Sequence, residues 1–343
     1  MQNYILKSKY NAKYPKVNYI GNKEKLSEWI VQNLPVEDGK VLDVFSGGNS
    51  VSFELKKQGF QVYSNDILYA SFVVGKAIIE NNSVQLKEDV IDKALNYKIT
   101  EEQRQKFVWL ENKLYFPEEV DELAQLVSYS ETLDDYNKYL FQALIRRSMI
   151  RKLPYSRMNV PWNNIVKLRD EEYSYTKYGR KRAYHNAKFS DHIRTNLYEY
   201  NAAVFDNGLR NKAFQLDALD AIEEVEKVDV IYLDPPYPST MNKYDDFYGA
   251  FDKVFGHSKN HINLTDKAVF LENLEQVIEV AVLKTKYIVL SLNSRSKPGI
   301  DEICEVFSKY GEVTVLKHKH NYQVSGKENK NDNFELLATL KVF

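Results

Sequence analysis

Short apolar runs that stop abruptly at an acid or a turn divide this chain. Residues 228–237 read VDVIYLDPPY, an apolar run that supplies Val, Ile, Tyr and Leu to both faces of a strand and so predicts one buried on both sides. Residues 41–45 and 61–65 read the same way; the second ends at Asp66. Further strands are predicted at 212–216, ending at Asp217, and at 287–292, ending in Asn293-Ser294. Residues 313–318 and 334–342 flank the polar segment KENKNDN, which predicts an antiparallel hairpin. Between the strands the period changes to that of helices. Leu26, Trp29, Ile30 and Leu34 form an i, i+3, i+4, i+8 stripe, and helices are predicted at 51–58, 267–283 and 300–310. Residues 238–263 are polar and long for a loop, the mark of a functional lid.

The strand ends carry the chemistry. In Asp234-Pro235-Pro236-Tyr237 two prolines cannot donate ladder hydrogen bonds, and each drives its predecessor out of helical geometry. The turn is rigid and lies at the carboxyl end of a parallel strand, where open α/β sheets bind ligands. A carboxylate, a proline carbonyl and an aromatic face within four residues suit a flat base with an exocyclic amine. Upstream, Ser46-Gly47-Gly48-Asn49-Ser50 joins a strand to a helix, and Asp66 follows Gly47 by 19 residues. Glycines admit a ligand close to the backbone, and the acid after the second strand can accept both hydroxyls of a ribose. Neither G-x-G-x-x-G nor G-x-x-x-x-G-K-[ST] occurs, so the spacing points to a nucleoside without a phosphate chain. Tyr19-Ile20-Gly21-Asn22-Lys23 forms another small turn before the first helix.

Charge adds an interaction surface. Residues 88–135 hold 13 acids against five basic residues, a net of about −8, whereas 146–188 carry 12 basic residues against three acids, about +9, with tyrosines and Trp162 interleaved. In a chain of formal net charge −1 such a block reads as a nucleic-acid-facing insertion, with Arg147, Arg151, Lys152, Arg157, Arg180, Lys181 and Arg182 as candidate contacts. The 25 tyrosines exceed what a core of this size needs. A single cysteine, Cys304, excludes a disulfide framework or a thiolate cluster, and the six histidines lack metal-ligand spacing. No stretch approaches 18 apolar residues and the start lacks an apolar signal core, so the chain reads as soluble and cytoplasmic.

In order, Y-x-G-x-K, D-x-F-x-G, N-D-I and DPPY resemble the motifs of the Dam-like, alpha-group N6-adenine DNA methyltransferases. That resemblance implies a Rossmann-like, class I methyltransferase sheet of seven strands, mostly parallel with an antiparallel C-terminal strand, and S-adenosylmethionine as cofactor. It implies a catalytic domain from 1–84 and 206–343, and a helix-rich target-recognition insertion at 85–205. By position, Tyr19, Lys23, Asp43, Phe45 and Gly47 look like cofactor contacts, Asp66 like the ribose acid and Asp217 like the acid near the cofactor's adenine. Asp234, Pro235, Pro236 and Tyr237 look like the target-base motif, and Ser291–Ser294 is similar to a later strand-end motif. Asn49 and Asn22 stand where the family often has glycine; Asn tolerates left-handed backbone, so both turns are expected to persist. The implied partners are double-stranded DNA and a cognate restriction endonuclease acting separately, with no membrane. Adenine N6 in RNA and cytosine N4 in DNA remain as alternative targets. So do two other classes, a nicotinamide-dependent oxidoreductase and a non-catalytic nucleic-acid-binding module.

Overall fold

A computed structural model describes residues 9–238, 244–319 and 333–343. Among these, seven strands form one sheet: β1 (Lys40–Asp43), β2 (Gln61–Asn65), β3 (Lys212–Phe214), β4 (Val230–Leu233), β5 (Tyr287–Asn293), β6 (Gly311–Lys319) and β7 (Phe334–Val342). Their order is β3-β2-β1-β4-β5-β7-β6. β7 alone runs antiparallel, to both β5 and β6, and the neighbours from β3 to β5 pair in parallel. The strand order therefore reverses between β1 and β4, which opens a crevice at their carboxyl ends. The predicted hairpin of the last two strands forms; most of its connecting segment, 320–332, lies outside the described residues.

Alternation explains why the central strands read as unbroken apolar runs. Val230 and Tyr232 of β4 pack on one side of the sheet, and Ile231 and Leu233 on the other. Val289 joins the first core, while Ile288, Leu290 and Leu292 join the second. Helices Ala218–Glu224, Phe270–Ala281 and Ile300–Ser308 cover the second face. The first face is covered by Ser50–Gln58, Tyr69–Gly75 and Asp135–Arg151. Leu140, Phe141 and Leu144 of the inserted stretch share this core with Val41 and Val230, so sheet and insertion are held by continuous packing.

Two expectations need correction. The segment read as a long polar loop contains the helix Tyr244–Phe255, whose Phe247, Tyr248 and Phe251 are buried; residues 239–243 lie outside the described residues. Asp245, Asp246, Asp252 and Lys253 flank those aromatics and dilute the apolar signal. The basic block is also not one exposed face. Arg147 is buried against Asn196, and Lys152 is buried against Glu119 at 2.8 Å, so neither reaches a phosphate outside. Arg169 pairs with the same Glu119 at 2.7 Å. The acidic and basic stretches thus neutralise each other in part across the fold, as buried charges require.

Asp252 has a structural task. Helix Tyr69–Gly75 lacks a capping side chain of its own, and both Asp252 oxygens accept its first N–H groups, from Tyr69 at 2.8 Å and Ala70 at 2.9 Å. Burial pushes the Asp252 carboxyl up to about 7. Asp252→Ala leaves two buried N–H donors unmet and should cost about 1–3 kcal/mol, read as a lower urea midpoint at unchanged slope. An unchanged midpoint would show that the cap is dispensable.

Candidate active site

The crevice between β1 and β4 holds a cavity of about 530 Å³, within the range that takes nucleoside-sized ligands. All eleven residues assigned to cofactor or target base line it: Tyr19, Lys23, Asp43, Phe45, Gly47, Asp66, Asp217 and the four from Asp234 to Tyr237. They come from five separate stretches of sequence. Four of these stretches end or follow parallel strands that finish on the same edge, and the fifth, with Tyr19 and Lys23, comes from the turn before the first helix.

The glycine turn forms as its residue types dictate. Gly47 has φ +50°, and a Cβ there would lie 2.8 Å from the Tyr19 ring, so only glycine fits. Asn49 occupies the left-handed region at φ +64°, as expected for the residue that replaces a glycine. Its side chain donates to the Ser71 carbonyl at 3.0 Å and accepts from the Ser64 hydroxyl, which ties the turn to β2 and the next helix. At Asp66, Oδ2 accepts the Gly47 N–H at 2.8 Å and Oδ1 the Leu68 N–H at 2.9 Å. Each oxygen keeps a further lone pair. Burial pushes this acid up to about 6, against the pull of those two donors.

Asp43 at the end of β1 is buried, and its Oδ2 accepts the Ser52 hydroxyl at 2.6 Å. Its Oδ1 has no hydrogen-bond partner. Burial pushes the carboxyl up to about 7, with Ser52 opposing. Asp217 caps helix Ala218–Glu224 through the Leu219 N–H at 3.0 Å, and its second oxygen accepts the Ile262 N–H at 2.7 Å.

At the proline turn, Lys23 Nζ donates to Asp234 Oδ1 at 2.9 Å and lies 3.5 Å from Glu335 Oε1. Burial raises the Asp234 carboxyl, Lys23 draws it down, and Glu335 raises it again. Tyr237 lines the cavity but is only 5% exposed: its hydroxyl donates to the Ser291 carbonyl at 2.8 Å and its ring packs on Phe270. The Ser291 hydroxyl meets Tyr232 at 2.7 Å, so the Ser291–Ser294 segment fixes both tyrosines around Asp234.

Several residues in and around this site escaped the motif reading. The Tyr19 ring stacks between Tyr244 at 5.5 Å and Tyr248 at 4.8 Å. Tyr248 accepts the Ile20 N–H at 2.8 Å, which fastens the N-terminal turn to helix Tyr244–Phe255. Buried Arg146 donates to the Val17 carbonyl at 2.8 Å and lies over the rings of Tyr19 and Tyr248. Glu335 is wholly buried on β7. For Tyr244 and Tyr248 the paired aromatic spacing was the available signal; for Glu335 a lone acid in an apolar strand was the signal.

Of the remaining basic candidates, exposed Arg180 and half-buried Arg151 and Arg182 line a smaller cleft of about 140 Å³ with Tyr155 and Tyr184. Arg151 lies 3.7 Å from the Tyr184 ring centre. Lys181 is exposed beside them, and Arg157 is half-buried over Phe247. The Met158 N–H donates to the Phe247 carbonyl at 2.8 Å, so this loop is docked on the helix that walls the cavity.

The family model of the D12 class N6 adenine-specific DNA methyltransferases matches residues 19–291. The Type II methyltransferase M2.HphI of Haemophilus parahaemolyticus is 43% identical over 95% of this chain and 98% of its own length. The Type II methyltransferase M.FokI of Planomicrobium okeanokoites is 26% identical over 90% of this chain, which spans 50% of that protein. M.NlaIII of Neisseria lactamica, another Type II methyltransferase, is 22% identical over 95% of this chain and 99% of its own length. A single cavity that gathers the glycine turn, the acid after β2 and the proline turn agrees with those matches: the chain belongs to the D12 class N6 adenine-specific DNA methyltransferases, and its reaction is site-specific methylation of adenine N6 in DNA.

Proposed function

We propose that the methyl donor is S-adenosylmethionine, that the substrate is duplex DNA, and that the target adenine is flipped into the cavity against Asp234-Pro235-Pro236-Tyr237. The observation that carries this reading is the single cavity with a nucleoside-type cradle at β1 and β2 and an amine acceptor at β4. The residues fit the donor. Asp43 Oδ1 is a buried acceptor without a partner, suited to an ammonium group. Asp66 keeps lone pairs for ribose hydroxyls, and Asp217, Ile262 and Leu264 line the cavity where an adenine would rest. When bound, S-adenosylmethionine supplies a methyl group on a positively charged sulfur, ready for displacement by a nitrogen nucleophile.

The N6 lone pair of adenine is delocalised into the ring, so the amine is a weak nucleophile. Asp234 accepts one amine hydrogen and the Pro235 carbonyl the other, which favours a pyramidal nitrogen with its lone pair directed at the methyl group. Once N6 carries the methyl group it is cationic, and Asp234, already hydrogen-bonded to it, is the group placed to take the surplus proton. Placement and hydrogen bonding supply most of the acceleration. Ser291 anchors the Tyr237 hydroxyl, so the ring is already fixed as one wall for the base. Flipping costs a few kcal/mol, offset by contacts in the cavity.

The insertion at 85–205 is the proposed target-recognition unit, with Arg151, Arg157, Arg180, Lys181 and Arg182 as its phosphate- or base-facing cations. Arg147 and Lys152 are excluded from that role by burial. A cognate endonuclease acting separately fits the Type II names of the relatives.

Asp234→Ala should lower methyl transfer to a duplex by at least about a thousandfold while the cofactor dissociation constant changes less than about fivefold. Equal loss of both would reassign Asp234 to the cofactor.

The Asp43 carboxyl must ionise to receive an ammonium, and its folded value is raised to about 7. Its ionised fraction therefore grows as pH rises toward 7. Cofactor affinity by calorimetry should increase from pH 5.5 to about 8, more than about tenfold per unit at the acid end where both carboxylates titrate, then level off. Asp66, raised to about 6, contributes the earlier part. Asp43→Asn should flatten most of the rise, and an unaltered profile in that variant would reject the pairing.

Arg180→Ala combined with Lys181→Ala should weaken duplex binding at 0.1 M salt and reduce the log–log salt slope by about 2, with thermal stability unchanged. Lys152→Met should instead lower thermal stability, because it strips Glu119 of a buried partner. A salt slope unaffected by the double variant would move the DNA to another face.

A further inference from the structure

Asp234 has two claims on it. To grip the amine of the base it must offer an electron-rich oxygen, yet its Oδ1 already accepts the Lys23 ammonium at 2.9 Å. Side-chain exposure is 12% for Lys23 and 19% for Asp234, so the pair lies largely out of water. A charge-assisted hydrogen bond there draws electron density from the carboxylate, and an ammonium abandoned at that depth would be strongly unfavourable.

The structure contains a second acceptor for the same ammonium. Glu335 Oε1 is 3.5 Å from Lys23 Nζ, and the Glu335 side chain is 0% exposed. Its place is set by the sheet: Glu335 sits near the start of β7, in register with Asn293 of β5 on one side and His318 of β6 on the other. Asn293 and Asn333 both line the cavity. An acid buried on a strand whose Leu336, Leu337, Ala338 and Leu340 are all core is not placed there by packing. An ammonium has three donors, so one lysine can serve both carboxylates and shift its weight between them.

We propose that Glu335 is a positioning residue for methyl transfer, which takes up the Lys23 ammonium when Asp234 turns to the amine of the target base. The cation remains paired throughout, and the Asp234 oxygens are released only when the amine can replace the lost donor. Glu335 acts through Lys23 and touches neither base nor methyl donor. This rests on the assignment of Asp234 as the amine acceptor.

The test is a double-mutant cycle on the full chain, read as single-turnover methyl transfer at saturating duplex and S-adenosylmethionine, with Glu335→Gln, Lys23→Gln and the two combined. Glu335→Gln removes the second carboxylate that faces Lys23. It should slow transfer by about tenfold to a hundredfold, with KM for DNA and cofactor affinity changed less than about threefold. Glu335→Asp, which keeps the charge, should recover most of the rate. In the Lys23→Gln background the same change at 335 should alter the rate by less than about twofold, since its effect passes through the lysine. Equal slowing in both backgrounds, or a wild-type rate for Glu335→Gln while Asp234→Asn is inactive, overturns the proposal. Full activity of Asp234→Asn would instead overturn the assignment beneath it. Should Glu335→Gln fail to fold, the wild-type protein decides by ¹⁵N spectroscopy of lysine side chains. With S-adenosylhomocysteine bound, a target duplex should move the Lys23 Nζ resonance, identified by its absence in Lys23→Arg, and an unmoved resonance counts against the shift.

Discussion

Three carboxylates, Asp43, Asp66 and Asp234, end three neighbouring strands or follow them directly, and all three are removed from bulk water around one cavity. Burial of a carboxylate is unfavourable unless donors meet it, and each is met differently. Asp66 takes two backbone N–H groups, Gly47 of the glycine turn after β1 and Leu68 of its own turn. Asp43 takes one hydroxyl and leaves one oxygen open. Asp234 takes a lysine brought from over two hundred residues away, across the switch point of the sheet. Much of the architecture follows from keeping those donors in place. The glycine turn needs left-handed backbone at Gly47 and Asn49 to aim its N–H, and helix Tyr69–Gly75 needs the Asp252 cap to present Leu68 at the right point.

The same constraint explains why the site was legible in the sequence while much around it was not. Strand-end residues interrupt an apolar run, and the interruption is visible without coordinates. VDVIYLDPPY and the stretch from Val41 to Asn49 could be read because both faces of those strands are covered, so the change in composition at their ends is sharp. The helix Tyr244–Phe255 was hidden because its first turn carries the exposed acids Asp245 and Asp246, and its buried face includes Asp252, which is turned to the Tyr69 helix. Charge alone marked an acidic and a basic stretch but not that the two pair with each other. Nothing local in Lys152 or Arg169 indicates that Glu119, from the acidic stretch, is folded against them.

The surplus of tyrosines follows from the same geometry. Tyr19 is held between Tyr244 and Tyr248, and Arg146 lies against two of these rings from the insertion helix Asp135–Arg151. Arg146 also holds the Val17 carbonyl, while Tyr248 holds the Ile20 N–H. The N-terminal turn that delivers Lys23 is therefore clamped by the insertion on one side and the Tyr244 helix on the other. A cation over two stacked rings in a dry site is worth about 2 kcal/mol or more, comparable to a buried hydrogen bond to a charged group.

That clamp gives the basic loop a direct mechanical connection to the catalytic edge. Asn18, next to Tyr19, donates to the Ser156 hydroxyl at 3.3 Å, and Met158 is bonded to Phe247 on the helix that carries Tyr244 and Tyr248. Tyr155 and Ser156 both lie in the left-handed region, at φ +61° and +55°, a costly conformation for non-glycine residues that persists only where surroundings impose it. The surroundings here are the cleft of Arg151, Arg180 and Arg182 and the two tethers to the cavity wall. That cleft is joined to the Lys23 turn through a few packed side chains and hydrogen bonds. The basic cleft and the edge that carries Lys23 and Asp234 thus belong to one packed unit, in which the insertion shares its core with the sheet instead of packing separately.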